Sequence, residues 1–155
     1  MNSHRIVLKP IGFVRTSASE EEIKAKRKNI VSEIHVKMDL VDALNGVEEY
    51  SHIFVIFWMH KVPKVETKRL KVHPRGRVDM PLVGVFATRS RNHPNPIGLA
   101  VVEVMVREGS IVKVRGLDAI DGTPVLDIKP YDHIDVATDI RVPEWWLKLY
   151  REHEK

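Results

Sequence analysis

Cysteine is absent from the 155 residues, which removes disulfides, thiolate catalysis and cysteine–zinc sites together. No apolar run approaches the ~20 residues that a membrane helix needs. The longest, residues 53–59 (IFVIFWM), is strand-sized. The N-terminus has no basic-then-apolar targeting segment, so a cytoplasmic location is expected. No glycine-rich GxGxxG follows a strand and no strand–helix alternation develops, which argues against a Rossmann sheet. Ser90 stands in no nucleophile elbow. None of the eight histidines falls at HxxxH or HEXXH spacing, so no metal is expected. Internal repeats and low-complexity tracts are also missing.

What is present describes a soluble globular chain of one domain. Apolar residues make up 43% and charged residues 30%, and the net charge of +4 is a modest bias toward polyanions. The most informative stretch is residues 82–100, LVGVFATRSRNHPNPIGLA. Residues 82–87 read as a buried strand, and a second strand starts at Leu99 and runs through Val106. Between them lie arginines, asparagines, a histidine and two prolines, closed by Gly98. Pro94 and Pro96 push His93 and Asn95 into extended conformations and exclude helix. A stiff polar loop between buried strands reads as a binding loop, with an ordinary turn as the alternative.

Elsewhere, residues 4–15 predict a strand bent around Pro10. Residues 19–29 form either a short helix capped by Ser19 with Glu22 three on, or a mobile loop. This segment also holds the densest basic cluster, Lys24, Lys26, Arg27 and Lys28. Residues 31–36 alternate as a half-buried strand, and residues 39–45 predict a two-turn helix capped by Asp39 and stopped by Gly46. Residues 50–60 (YSHIFVIFWMH) read as a strand buried on both faces, with His52 and His60 at its ends. Residues 61–81 are long, basic and irregular. Residues 101–107 and 111–115 predict a hairpin with Val102, Val104 and Val106 facing in and Glu103, Arg107, Lys113 and Arg115 facing out. A short strand follows over 125–128. Pro143 opens an amphipathic helix over about 143–152. Short strands with few helices predict a mostly β fold, an antiparallel barrel or sandwich. The loops gather His60, Arg89, Asn95, Asp118, Asp121, Asp127, Lys129 and Tyr131, a mixture suited to a zwitterionic, nucleoside-like molecule.

GVFATRSRNHPNPIGLA, LDAIDGTPVLDIKPY and YSHIFVIFWMH together resemble the TrmO family (TsaA-like or YaeB-like) over residues 11–131. The resemblance implies a single β-barrel domain over residues 1–155, of the non-Rossmann methyltransferase kind, acting as a homodimer. It further implies S-adenosyl-L-methionine as cofactor and tRNA as partner. The methyl group goes to the exocyclic nitrogen of threonylcarbamoyladenosine, just 3′ of the anticodon. Carried over by motif, the cofactor touches His60, Lys61, Arg89, Leu99, Asp118, Ala119 and Ile120. Arg89, His60 or Lys61 suits the methionine carboxylate. Asp118 suits the amino group and sulfonium, while Leu99 and the Ala119–Ile120 backbone suit adenine. Asp118 and Asp121 can equally be turn makers.

Asp127 or Tyr131 is the candidate to take or orient the proton of the acceptor nitrogen, and Lys129 to steady charge on the carbamoyl oxygen. Positioning alone is the alternative source of rate. Two departures from the family pattern stand out. His93 occupies the place before PNPIG where many members have arginine, and the further C-terminal domain of bacterial members has no counterpart after the terminal helix. Two other readings remain: an enzyme of the same fold with a different RNA or small-molecule acceptor, and a non-catalytic RNA-binding module.

Overall fold

The computed structural model describes residues 4–153. In chain order they form β1 (Gly12–Arg15), α1 (Glu20–Lys26), β2 (Val31–Val36), β3 (His52–Trp58), β4 (Lys71–Val72), β5 (Val83–Gly84), β6 (Ile97–Glu108), β7 (Ile111–Arg115), β8 (Pro124–Pro130) and α2 (Glu144–His153). Six strands close into an antiparallel barrel in the order β1-β2-β7-β6-β3-β8. Closure leaves the barrel itself without a free sheet edge. The fold class expected from the strand pattern is therefore the observed one.

Alternation explains the barrel core. Val14, Ile34, Val36, Ile53, Val55, Phe57, Ala100, Val102, Val112, Val114 and Val125 point inward and are buried. Leu44, Leu117 and Ala119 belong to the same cluster. Two close approaches depend on glycine. A Cβ on Gly12 would lie 2.2 Å from the His35 carbonyl oxygen of β2. A Cβ on Gly98 would lie 2.1 Å from the ring of Phe57, its register partner on β3.

The structure corrects several boundaries. The N-terminal strand begins only at Gly12, past Pro10, which has no N–H for a ladder. Residues 39–45 are not α-helical: Met38–Leu44 winds as 3-10 turns without a side-chain cap, since Asp39 lies inside the segment and Lys37 precedes it. Only Leu44 is buried there, too little apolar stripe to hold an α-helix. β3 is buried on its inner face alone; Phe54, Ile56 and Trp58 on the outer face are half-buried. β6 is twelve residues long because its first half pairs with β3 and its second with β7. A register shift between Val104 and Val106 turns Val106 outward, against the alternation expected from the sequence. The predicted strand over 82–87 shrinks to β5, followed by a 3-10 turn at Val85–Ala87 in which only Val85 is buried.

The described chain divides into two compact units. The first is the barrel, comprising the described residues up to Val62 together with Pro96–Tyr131. Within it α1 starts from a capping box: the Ser19 hydroxyl accepts from the Glu22 N–H, and the Glu22 carboxylate accepts from the Ser19 N–H. The bond from the Ser19 N–H is the main reason the Glu22 carboxyl lies below the usual range. The second unit comprises Pro63–Asn95 and the described residues from Asp132 on. It contains the β4–β5 ribbon, in which Lys71 faces Gly84 and Val72 faces Val83. α2 belongs to it too, and is tied to the Arg77–Asp79 segment by ion pairs from Asp79 to Lys148 and from Arg77 to Glu152.

Candidate cofactor site on the barrel

Antiparallel order brings the ends of β1, β3 and β7 to the same end of the barrel as the starts of β2, β6 and β8. The chain leaves β3 there, and the Met59 N–H donates to the Pro96 carbonyl at 2.8 Å, joining the exit of β3 to the entry of β6. The Asn95–Gly98 turn thus contributes scaffold. His60 and Lys61 follow, exposed and without a side-chain partner among the described residues.

Residues 116–123 emerge at this same end and are held from both sides. The Gly116 N–H donates to the Ile30 carbonyl at 2.9 Å, and the Gly122 N–H to the Val14 carbonyl at 2.8 Å. Asp121 is a turn maker here: its Oδ1 accepts from the Thr16 N–H at 3.1 Å. Leu117 and Ala119 are buried as anchors, which leaves Asp118 exposed between them. The Thr123 N–H and hydroxyl both donate to the Ile120 carbonyl, at 3.2 and 2.7 Å. That oxygen is occupied, whereas the N–H groups of residues 118–120 have no backbone partner among the described residues.

Asp118 is held by Arg27, 3.4 Å from guanidinium to carboxylate. Nothing in the sequence marked this pair, because its members lie 91 positions apart and Arg27 read only as one of a basic cluster.

Register fixes the remaining barrel candidates. Leu99, Ile56 and Asp127 form one row across β6, β3 and β8, and Val101, Phe54 and Lys129 form the next. Since Ile53, Val55, Ala100 and Val102 point into the core, both rows lie on the outer face. Leu99 is 47% exposed. Asp127 and Lys129 pair at 3.0 Å, and the second Asp127 oxygen accepts from the Ile128 N–H at 2.9 Å. Tyr131 lies at the other end of β3, where its N–H donates to the His52 carbonyl. Its ring edge packs on Phe54 with centroids 5.4 Å apart. The six steps from His52 to Trp58 amount to about 20 Å at about 3.3 Å per residue. Leu99 and Asp127 are therefore brought together, while Tyr131 lies far along the strand from the His60 end.

Arg89 belongs to the second unit, exposed and with no guanidinium partner among the described residues. Its loop is tightly built. The Thr88 hydroxyl donates to the Val85 carbonyl at 2.9 Å, and the Ser90 N–H donates back to that hydroxyl at 3.2 Å. His93 Nε2 donates to the Thr88 carbonyl at 2.9 Å. Glu66, which sequence reasoning passed over, binds Arg91 at 2.9 Å and Asn92 at 3.3 Å. Among the described residues, no group of three or more His, Asp or Glu side chains is arranged to hold a metal ion, and no helix is long and apolar enough to cross a membrane.

Comparison with known proteins agrees with this architecture. Residues 20–136 match the model of the tRNA-methyltransferase O N-terminal domain. A probable S-adenosyl-L-methionine-binding protein of Methanothermobacter thermautotrophicus is 42% identical over 134 residues, covering 84% of this chain and 93% of that protein. The tRNA (adenine(37)-N6)-methyltransferase of Escherichia coli strain K12 is 35% identical over 137 residues, 78% of this chain and 55% of that enzyme. The crystal structure of TrmO from Pseudomonas aeruginosa superposes with a TM-score of 0.69 at 31% identity, over 89% of this chain and 61% of that one. The chain thus spans a little over half the length of those two bacterial proteins. By sequence and by fold, it belongs to the tRNA-methyltransferase O N-terminal domain family.

Proposed function

We propose that this chain is an S-adenosyl-L-methionine-dependent methyltransferase acting on tRNA, and that it methylates the exocyclic nitrogen of threonylcarbamoyladenosine beside the anticodon. On this reading it works in the cytoplasm as a homodimer. The observation that supports it is the register row Leu99–Ile56–Asp127, which brings the candidate cofactor residue Leu99 and the candidate proton acceptor Asp127 onto one outer face. Adjacent strands lie about 4.8 Å apart, so the two positions are about 10 Å from each other. Relatives named for binding the cofactor and for methylating tRNA adenine support the same reading.

The donor set suits the cofactor. His60 and Lys61 offer unpaired cationic or N–H donors for its carboxylate. Asp118, oriented by Arg27, accepts from its amino group. The half-buried side chains of Trp58 and Ile56 with the exposed Leu99 give adenine an apolar seat, and the free N–H groups of residues 118–120 give it hydrogen-bond donors. Arg89 is the further cation that the resemblance assigns to the cofactor.

When bound, the cofactor supplies a methyl group made electrophilic by its sulfonium. Asp127 accepts the proton of the acceptor nitrogen, whose lone pair is delocalised toward the purine and the carbamoyl group. Lys129, paired with Asp127 at rest, moves to the carbamoyl oxygen as charge develops there. Tyr131, at the other end of β3 and outside that row, is the alternative group to take or orient the proton.

Three experiments test this. Calorimetric titration with S-adenosyl-L-methionine is expected to show binding that Arg89→Ala weakens strongly. Transfer of labelled methyl to tRNA carrying threonylcarbamoyladenosine, and not to the same tRNA lacking that modification, is expected from the wild type. Equal labelling of both tRNAs would refute the acceptor assignment. An unchanged single-turnover rate for Asp127→Asn would remove that residue from the chemistry.

A further inference from the structure

Charge is unevenly divided along this chain. Residues 63–95 hold eight lysines and arginines against two acidic residues, a net +6, more than the +4 of the whole chain. Both acids are committed within the unit: Glu66 to Arg91 at 2.9 Å, and Asp79 to Arg77 at 2.6 Å and Lys148 at 3.3 Å. Lys64, Lys68, Arg69, Lys71 and Arg75 have no ion-pair partner among the described residues. Such a surplus of free cations attracts a polyanion.

The same segment displays an aromatic pair. Phe86 is 81% exposed, and its ring lies 5.8 Å from that of His93 at an interplanar angle of 52°. The backbone makes this display rigid. Val85 is buried as an anchor, the Val85–Ala87 turn is closed by the Thr88 N–H on the Val85 carbonyl at 3.0 Å, and His93 is fixed by its own bond to the Thr88 carbonyl. A phenylalanine held out in water, backed on one side by an imidazole, presents a π surface to whatever docks there. The ribbon sets Lys71 opposite Gly84, and the Val85 N–H donates to the Leu70 carbonyl at 3.0 Å, so Arg69 and Lys71 lie on the segment beside the Phe86 turn. Free cations beside an exposed aromatic pair are the combination by which proteins hold unstacked nucleic-acid bases. A duplex keeps its base faces stacked and leaves such rings nothing to stack on.

We propose that residues 63–95 form a dock for single-stranded RNA, in which Phe86 and His93 stack one unpaired base and the surrounding cations hold its flanking phosphates. This rests on the reading of tRNA as substrate and adds which surface takes the loop of that RNA. His93 is then a second ring of the platform.

The test measures binding by the full chain, without cofactor, to an anticodon stem-loop RNA carrying 2-aminopurine in its loop, and to a fully paired duplex of the same length. The wild type is expected to bind the stem-loop more tightly and to quench the 2-aminopurine. Phe86→Leu is expected to lower stem-loop affinity about tenfold and abolish the quench, with duplex affinity unchanged, and Phe86→Trp to restore both. Because Phe86 is mostly exposed, neither variant threatens folding. Stem-loop affinity within twofold of wild type in Phe86→Leu overturns the dock, as does a wild type that binds no RNA. Loss of cofactor affinity or a changed sedimentation coefficient in Phe86→Leu also overturns it, by assigning the residue to the cofactor site or to a subunit contact. Methyl transfer is scored separately: a dock that binds RNA without transfer leaves this proposal standing and refutes the methyltransferase reading.

Discussion

The barrel and the second unit are held by different forces. The barrel carries thirteen basic and thirteen acidic residues and buries one continuous apolar cluster inside a closed hydrogen-bond ladder. The second unit buries few apolar side chains, chiefly Met80, Val85 and Leu149, and relies on ion pairs that join Arg77 and Asp79 to Lys148 and Glu152. Its surplus of cations is left for other partners. One region fixes positions to a fraction of a strand step, and the other offers charge and ring surface. A methyl-transfer enzyme acting on RNA needs both.

Substitutions at glycine break that contrast most sharply. Gly12→Ala drives a Cβ into the β2 backbone and is expected to destabilise the protein by about 3 kcal/mol or more, measured by urea unfolding. Gly84→Ala in the second unit meets nothing closer than the Leu70 carbonyl at 3.9 Å and is expected to leave the unfolding midpoint nearly unchanged. Equal effects would show that the barrel backbone shifts to make room for the added methyl.

Leu117→Ala empties a fully buried position beneath the Asp118 loop, and is expected to cost about 2–5 kcal/mol. Val78→Ala, 87% exposed in the second unit, is expected to stay within about 0.5 kcal/mol. Thermal unfolding of the two variants side by side measures the difference.

Arg89→Ala sharpens the comparison from the other direction. Having no partner in the described structure, Arg89 contributes little to folding. Its loss is expected to reduce S-adenosyl-L-methionine affinity about ten- to a hundredfold with an unchanged melting temperature. A lower melting temperature with unchanged affinity would make Arg89 structural.

The smallest effect is expected in acid. Hydrogen bonds from Arg77, then from Lys148, hold the Asp79 carboxyl far below its ordinary value, and Arg77 likewise holds Glu152 down. Unfolded aspartate titrates near pH 4. The stability these pairs contribute is therefore present above about pH 4 and is lost as pH falls through the depressed native value. Asp79→Asn is expected to reduce the acid sensitivity of unfolding monitored by tryptophan fluorescence from Trp145 and Trp146 on α2. Sensitivity unchanged from wild type would locate it elsewhere.

Local patterns were the readable part of this chain. The alternation of Val31–Val36 delimits β2 at the residues observed, and Ser19 with Glu22 announces α1 through its capping box. Pro143 precedes α2, observed over Glu144–His153. The TrmO motifs led to the family. Unread features depend on partners distant in sequence. Val106 faces outward because of a register shift against β7, and β6 extends to twelve residues because it serves two neighbours. Asp118 finds Arg27 only once residues 116–123 and the segment after α1 meet at one barrel end.

By itself, then, the sequence determined the strand-rich class, the Ser19–Glu22 cap of α1, the stiff proline loop and the absence of thiol chemistry, because each follows from dihedral preference, local hydrogen bonding or composition. Tertiary structure alone decided which candidate residues share a face. Barrel closure fixes register, and register put Leu99, Ile56 and Asp127 in one row while leaving Tyr131 past the end of β8, at the far end of β3. It also decided that Phe86 stands exposed beside His93, since the neighbouring Val85 takes the buried place.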